Sequence, residues 1–308
     1  MAIDRQTSAE ILALQNSEEL IGLINLVIGR YPELQHFSAS PIAKTKYKTM
    51  VQTALPSVAF RADNVGREEQ KPVWSTVEVE CKFLDASWSI DEKVALDMEW
   101  GADTACLFNQ QAHMDAALKA IAKQTWYGVS ADAGGFVGIG SLLNSLAAPN
   151  VINAGGTTAN KCTSVFALST GLQRVSYAWG QDGQFKEGEI MYLPIPDKTT
   201  PAKEFWGFRQ AITGYVGLQV PSVKCVGRIV NIDDTHPLTD DLLSKLIDSF
   251  DDGFEPDMFF AHKKAIGQLR RSRTATNPTG APAPYPDSTF NVPLYQSSAI
   301  SNTEAVIA

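Results

Sequence analysis

Val73-Trp74-Ser75-Thr76-Val77-Glu78-Val79-Glu80-Cys81-Lys82-Phe83 alternates in character over eleven residues. Val73, Ser75, Val77, Val79, Cys81 and Phe83 hold the odd positions, and Thr76, Glu78, Glu80 and Lys82 hold even ones. A period of two predicts a strand with one covered face and one wet face. Residues 51–60 are the expected partner strand. The polar stretch 61–71, with Gly66 inside it, closes a long two-stranded ribbon. Such a ribbon is marginal alone, so it needs cover from the rest of the chain or from a second subunit.

Helical periodicity lies on both sides of the ribbon. Upstream, Thr7 and Glu10 have capping-box spacing, and Ser17 caps a second helix with Glu18 and Glu19 in its first turn. Leu20, Leu23, Ile24, Val27 and Ile28 then trace one apolar stripe, and Gly29 follows. Downstream, 99–126 contains no proline and predicts a helix of about 25 residues, roughly 38 Å long. Leu107, Met114, Leu118, Ile121 and Thr125 mark its expected apolar face.

Farther along, strands are predicted at 165–168, 175–179, 185–193 and 223–232. Gly180-Gln181-Asp182-Gly183 has the character of a hairpin turn. Thr239 caps another helix, with Asp240 and Asp241 at its positive end and Leu242, Leu243, Leu246, Ile247 and Phe250 on one side. Met258-Phe259-Phe260 is a short strand, 263–273 a basic helix, 277–286 a proline-rich loop, and 292–307 holds one or two short strands. Mixed helix and sheet in this order define an α+β protein.

Composition narrows the function. The chain has 308 residues, enough for a sizeable core, and a net charge of −8, which argues against a protein built mainly to grip nucleic acid. No apolar run approaches the ~18 residues of a membrane helix, and no membrane role is expected. The start has no basic segment followed by an apolar one, so no signal peptide is expected. Cys81, Cys106, Cys162 and Cys225 are too dispersed for a CxxC site and read as buried, reduced thiols.

Catalytic signatures are weak. Gly138-Ile139-Gly140 lacks the third glycine of a dinucleotide fingerprint, because position 143 is Leu143. Gly155 to Cys162 imitates a phosphate loop, but Asn160 and Cys162 flank the lysine where glycine and a hydroxyl residue are required. There is no HExxH or GxSxG. Asp233, Asp234, His236, Asp240 and Asp241 resemble an oxygen-rich metal cluster. Helix capping and a turn before Pro237 are the plainer account of those residues. No catalytic residue, metal or cofactor is expected. Lys263, Lys264, Arg270, Arg271 and Arg273 form the densest basic run, either a lumenal or interface patch or a solvated helix face. Trp88, Trp100, Trp179 and Trp206 are expected core or interface anchors.

The order of the pieces carries more than any one motif. The ribbon segment from Thr53 to Arg61 and the Lys82 to Asp91 stretch come first. The long helix follows, then Gly135-Phe136-Val137-Gly138-Ile139, Ser176-Tyr177-Ala178-Trp179-Gly180 and Arg228-Ile229-Val230-Asn231-Ile232-Asp233. Met258-Phe259-Phe260 and the C-terminal Ala299 to Glu304 complete the set. This sequence resembles the major capsid proteins of tailed bacteriophages, whose fold is named after a Hong Kong phage, along nearly its whole length.

The resemblance implies a layout. Residues 1–50 would be an N-terminal helical arm and 51–98 an extended hairpin loop lying over the adjacent subunit. Residues 99–148 would be a peripheral domain with its spine helix, 149–235 an axial domain, 236–290 a return to the peripheral domain, and 291–308 a C-terminal strand segment. The implied function is self-assembly as hexamers and pentamers into an icosahedral head that encloses double-stranded DNA by non-specific contact. Implied partners are further copies of the chain, a portal, and a separate scaffolding or decoration protein. The expected location is the virion, after synthesis in the bacterial host cytoplasm. Interface residues would be Leu23, Ile24 and Val27 on the arm and Val73, Val77 and Val79 on the ribbon. Gly134-Gly135 and Gly155-Gly156 would serve as flexible joints. The alternatives are an encapsulin-like cellular shell, which would hold protein cargo, and a metal-dependent hydrolase using Asp233, Asp234 and His236.

Overall fold

The computed structural model describes residues 29–98, 100–183, 186–197, 203–278 and 280–308. The arm helices, including Leu23, Ile24 and Val27, lie outside them. The described chain opens with α1 (Glu33–His36), β1 (Ala39–Pro41), β2 (Lys46–Ala54), β3 (Val73–Glu80), β4 (Lys82–Asp85) and β5 (Trp88–Asp91). It continues through α2 (Glu92–Leu96), α3 (Ala102–Tyr127), α4 (Ile139–Leu142), β6 (Val151–Asn153), β7 (Thr163–Leu168), β8 (Ser176–Trp179) and α5 (Gly180–Gly183). Next come β9 (Lys186–Glu187), β10 (Met191–Pro196), β11 (Glu204–Gln210), β12 (Ile212–Gln219) and β13 (Val226–Ile232). The last elements are α6 (Asp240–Asp248), β14 (Met258–Ala261), α7 (Lys263–Ala275), β15 (Ser288–Thr289) and β16 (Val292–Gln296).

A six-stranded sheet, ordered β15-β16-β14-β7-β13-β6, forms the centre. All of β7 is buried because both faces of the sheet are covered. Phe166 and Leu168 point into a core with Trp126 and Phe260. Val165 and Ala167 point the other way, into a core with Leu243, Leu246 and Leu269. Strands covered on both faces read as continuous apolar runs. Helices α6 and α7 supply the second cover. Thr239 caps α6 by accepting from Leu242 N, as its sequence predicts.

This packing joins the two sides of the implied boundary at residue 236. Strand β14 pairs with β7, and α6 packs on β13 and β6. Residues 236–290 therefore complete the same sheet and core as 163–168 and 226–232. The expected hairpin around Gly180-Gln181-Asp182-Gly183 is also absent. Strand β8 runs parallel to β1 and antiparallel to β12, and β9 pairs with β12 as well. Strand β12 is the common partner because it is long and almost wholly buried.

Helix α3 is the predicted long helix, with 26 residues. Its covered side matches the expected one in part: Ile121 and Thr125 are buried and Met114 packs on a core, whereas Leu107 and Leu118 are exposed and Ala105, Cys106, Ala117, Ala122 and Trp126 supply the rest of the covered side. Small residues let its first turns approach β5 and α2, and Ile121 and Trp126 anchor its end in the central core. Gly128 ends it at φ +56°, and an added Cβ would fall 2.3 Å from Gly138 N. The glycines expected as joints are contact points too. A Cβ on Gly135 would strike the Gln124 side chain, and one on Gly156 would lie 2.4 Å from Asn231 O.

Polar ties hold the C-terminal segment to this frame. Arg228 donates to Glu304 at 2.9 Å with both side chains nearly sealed, and to Ser164 and the Leu143 carbonyl. Tyr127 donates its hydroxyl to the other Glu304 oxygen at 2.5 Å. Asn231 exchanges two hydrogen bonds with the Ile307 backbone. A buried ion pair adds little net stability when intact, but removing one partner is costly.

Candidate assembly interface

Hairpin β2–β3 stands off the body. Its nine-residue strand reaches about 30 Å at 3.3 Å per residue. The ladder runs from Lys46↔Glu80 through Thr49↔Val77 to Ala54↔Val73, with an irregularity near Thr53. The partner strand is thus 46–54, and 55–72 forms an irregular tip, which corrects the expected 51–60. Lys46 and Lys48 face Glu80 and Glu78 at 2.9 and 3.6 Å, an alignment that the 51–60 pairing cannot provide. Glu80 also meets Lys82 at 2.8 Å, and these two lysines hold its carboxyl down at about 2.

The hairpin changes character along its length. At the base, Val79 is 3% exposed and packs with Cys81, Ala178, Tyr47 and Tyr215. Tyr47 donates to Gln219 of β12, tying the base to the body. Val79 therefore belongs to the subunit's own core and is removed from the candidate interface. Val77 is half-buried, and Val73 is 53% exposed. The alternation itself breaks at Cys81, after which Phe83 is exposed and Leu84 packs on the core. Toward the tip, Met50, Trp74, Leu55, Val58 and Phe60 are all exposed, and Phe60 is wholly so. Few bonds hold the tip together. Arg67 donates to the Ser57 carbonyl, and Ser57 N donates to Gln70 at 3.3 Å. This exposed apolar tip at the end of a projecting ladder is the candidate contact surface.

A second exposed apolar surface lies on the β10-β11-β5 sheet. Tyr192 and Trp206 stack with ring centroids 5.1 Å apart, and both rings are exposed. Tyr192 donates to Glu92 at 2.7 Å, fixing the ring. Trp206 is thus a surface aromatic, whereas Trp88 is in the core. Alternation of Tyr192 with Pro194, and of Trp206 with Phe208, was the available signal for this face.

The basic run divides in two. Lys264 pairs with Asp234 at 3.1 Å, and Arg273 forms a two-pronged pair with Asp240 at 2.7 and 2.8 Å. Those two cations serve the fold. Lys263, Arg270 and Arg271 remain on the outer face of α7 and are exposed.

Asp233 has a structural task. It is 1% exposed and accepts from Thr235 N, Thr235 Oγ1, His236 N and Thr158 Oγ1 at 2.7–3.0 Å. These donors hold its carboxyl far below the usual range. The carboxylate organises the turn after β13, and Asp234 is engaged by Lys264. Among the described residues no group of three or more His, Cys, Asp or Glu side chains is placed to hold a metal ion. All four cysteines are buried and unpaired, and burial pushes Cys81 and Cys106 up to about 11, which leaves them as unreactive thiols. No described helix is long and apolar enough to cross a membrane.

The family model for major capsid protein GP7 matches residues 39–253. Three solved structures share the fold. That of bacteriophage Epsilon15 is 19% identical, with a TM-score of 0.67 over all of both chains. The bacteriophage JBD30 capsid is 12% identical, with a TM-score of 0.51 over 96% of this chain and 99% of that one. The cyanophage A-1(L) capsid is 9% identical, with a TM-score of 0.50 over 73% of this chain and 99% of that one. No curated protein matches the chain by sequence.

Proposed function

This chain belongs to the major capsid protein GP7 family, and on that premise we propose how its surfaces build the shell. It is a capsid protein of the virion with the Hong Kong-phage-type fold, and it assembles with copies of itself into an icosahedral shell. In the proposed arrangement each hairpin β2–β3 lies over the adjacent subunit within hexamers and pentamers. Its base remains in its own core through Val79, and its tip carries Leu55, Val58 and Phe60 onto the neighbour. Val73 and Val77 extend that contact along the ladder. The arm residues Leu23, Ile24 and Val27 add a second apolar contact. The central sheet plays the part of the axial domain, with 236–290 included in it, and α3 is the spine of the peripheral domain. Double-stranded DNA is the content, a portal supplies its entry, and a separate scaffolding or decoration protein assists assembly. A protein-filled cellular shell is the second reading, and the capsid family match favours the first.

One observation carries the assembly reading: a long hairpin ends in an apolar tip that the described residues of its own chain leave uncovered. Phe60→Asp and Val77→Asp test it. Both variants are expected to give soluble subunits with unchanged circular dichroism and no closed shells in electron micrographs. Particles of normal size and yield from both would remove the hairpin from the assembly mechanism.

A further inference from the structure

Helix α7 carries a groove on its outer side. Gly267, Arg270, Arg271, Thr274, Pro282 and Tyr285 line most of it, around a volume of about 440 Å³. Among the described residues no carboxylate lines it, although the chain as a whole carries a net charge of −8. The walls are braced. Arg270 Nε donates to the Ala283 carbonyl at 2.8 Å, while Thr274 Oγ1 donates to the Arg270 carbonyl at 2.9 Å and accepts from Ala283 N at 3.0 Å. The bond at Nε fixes the Arg270 side chain and leaves its two terminal nitrogens for a ligand. Gly267 presents no side chain between the two arginines. Lys263 stands one helical turn before Gly267 and is exposed. No ion pair engages Lys263, Arg270 or Arg271 among the described residues, in contrast to Lys264 and Arg273.

We propose that this groove binds the phosphodiester backbone of duplex DNA, with Arg270 and Arg271 on successive phosphate oxygens and Lys263 extending the track. The inference rests on the shell reading, which supplies the polyanion. Arginine forks match phosphate geometry, and contacts of this kind are blind to sequence. They suit a container that must hold any genome and release it. An acidic polypeptide would offer similar charge. It would also need apolar anchoring, and the groove presents only Pro282, Tyr285 and Ala275 for that.

The test measures anisotropy of a fluorescent 30-base-pair duplex with the full-length subunit across a salt series. Lys263→Glu/Arg271→Glu removes two cations that no ion pair engages among the described residues. Wild type should bind with an affinity that falls steeply with salt. The double variant should bind more weakly, with the log–log salt slope reduced by about 2. Lys264→Ala is the internal control and should leave the slope unchanged, because that lysine is held by Asp234. No duplex binding by wild type, or an unchanged slope in the double variant, overturns the proposal. Tighter binding of poly-glutamate than of duplex also overturns it, by assigning the groove to an acidic protein. Shell formation is scored separately by electron microscopy. Normal shells from the double variant are expected, and their loss would make this face a subunit contact. Failure of wild type to form shells would count against the assembly reading and would leave the anisotropy result to decide the groove.

Discussion

Val77 and Val165 are both strand valines that follow a hydroxyl residue, Thr76 and Ser164, yet they meet different surroundings. Val165 lies in a sheet covered on both faces, by α3 and by α6 with α7, and it is fully buried. Val77 lies on a two-stranded ladder and is only half-buried. The central sheet is stabilised within the subunit. The hairpin is stabilised within it only as far as Val79. In the proposed assembly, stability and contact with neighbours therefore fall to different parts of the molecule, and a substitution is expected to damage one while sparing the other.

The largest expected effect on folding comes from the central frame. Glu304→Ala leaves Arg228 buried without its carboxylate and should cost about 3–5 kcal/mol, read as a lowered denaturant midpoint. A loss below about 1 kcal/mol would mean that the C-terminal segment is not part of the cooperative unit.

Glu33 adds a pH dependence to the same frame. It is fully buried, Trp126 and Ser297 both donate to one of its oxygens, and the other has no partner among the described residues. Burial pushes its carboxyl from 4.5 up to about 7. The protonated form is favoured in the fold. The stability it contributes is complete below about pH 4.5 and is lost as the pH rises through about 7. The difference is about 3 kcal/mol, at roughly 1.4 kcal/mol per tenfold change. Denaturation at pH 5 and pH 8 should show it, and Glu33→Gln should flatten that part of the profile. An unchanged profile in the variant would place the titration elsewhere.

Val79 and Val77 sharpen the contrast within one strand. Val79→Ala removes two buried methyl groups and should cost about 2 kcal/mol of subunit stability. Val77→Ala should cost clearly less in the isolated subunit while reducing shell yield. Equal destabilisation by the two would erase the boundary drawn between them. The smallest effect is expected at Lys46→Ala. Its pair with Glu80 is solvent-exposed, so the subunit midpoint should not move measurably.

Much of the fold was legible because it rests on local patterns. The alternation at 73–81, the unbroken helix of α3, the Thr239 cap with its two aspartates, and four dispersed thiols each follow from neighbours in sequence. The order of those pieces was enough to suggest the capsid family. The candidate interface was legible only in part. Val73 is exposed and Val77 half-buried, but Val79 is in the subunit's own core, and the sequence offered no reason to rank Phe60 above the rest of the tip.

What remained undetermined depends on residues far apart in the chain. Periodicity states that a strand has a covered face but not what covers it. Val79 is covered because Ala178 and Tyr215 arrive from other strands. Lys264 and Arg273 look like surface cations until Asp234 and Asp240 are brought beside them. Residues 236–290 join the central sheet because β14 pairs with β7, nearly a hundred residues earlier in the chain. Local sequence set the elements. Only the tertiary structure decided which of their faces were used within the subunit and which stayed exposed.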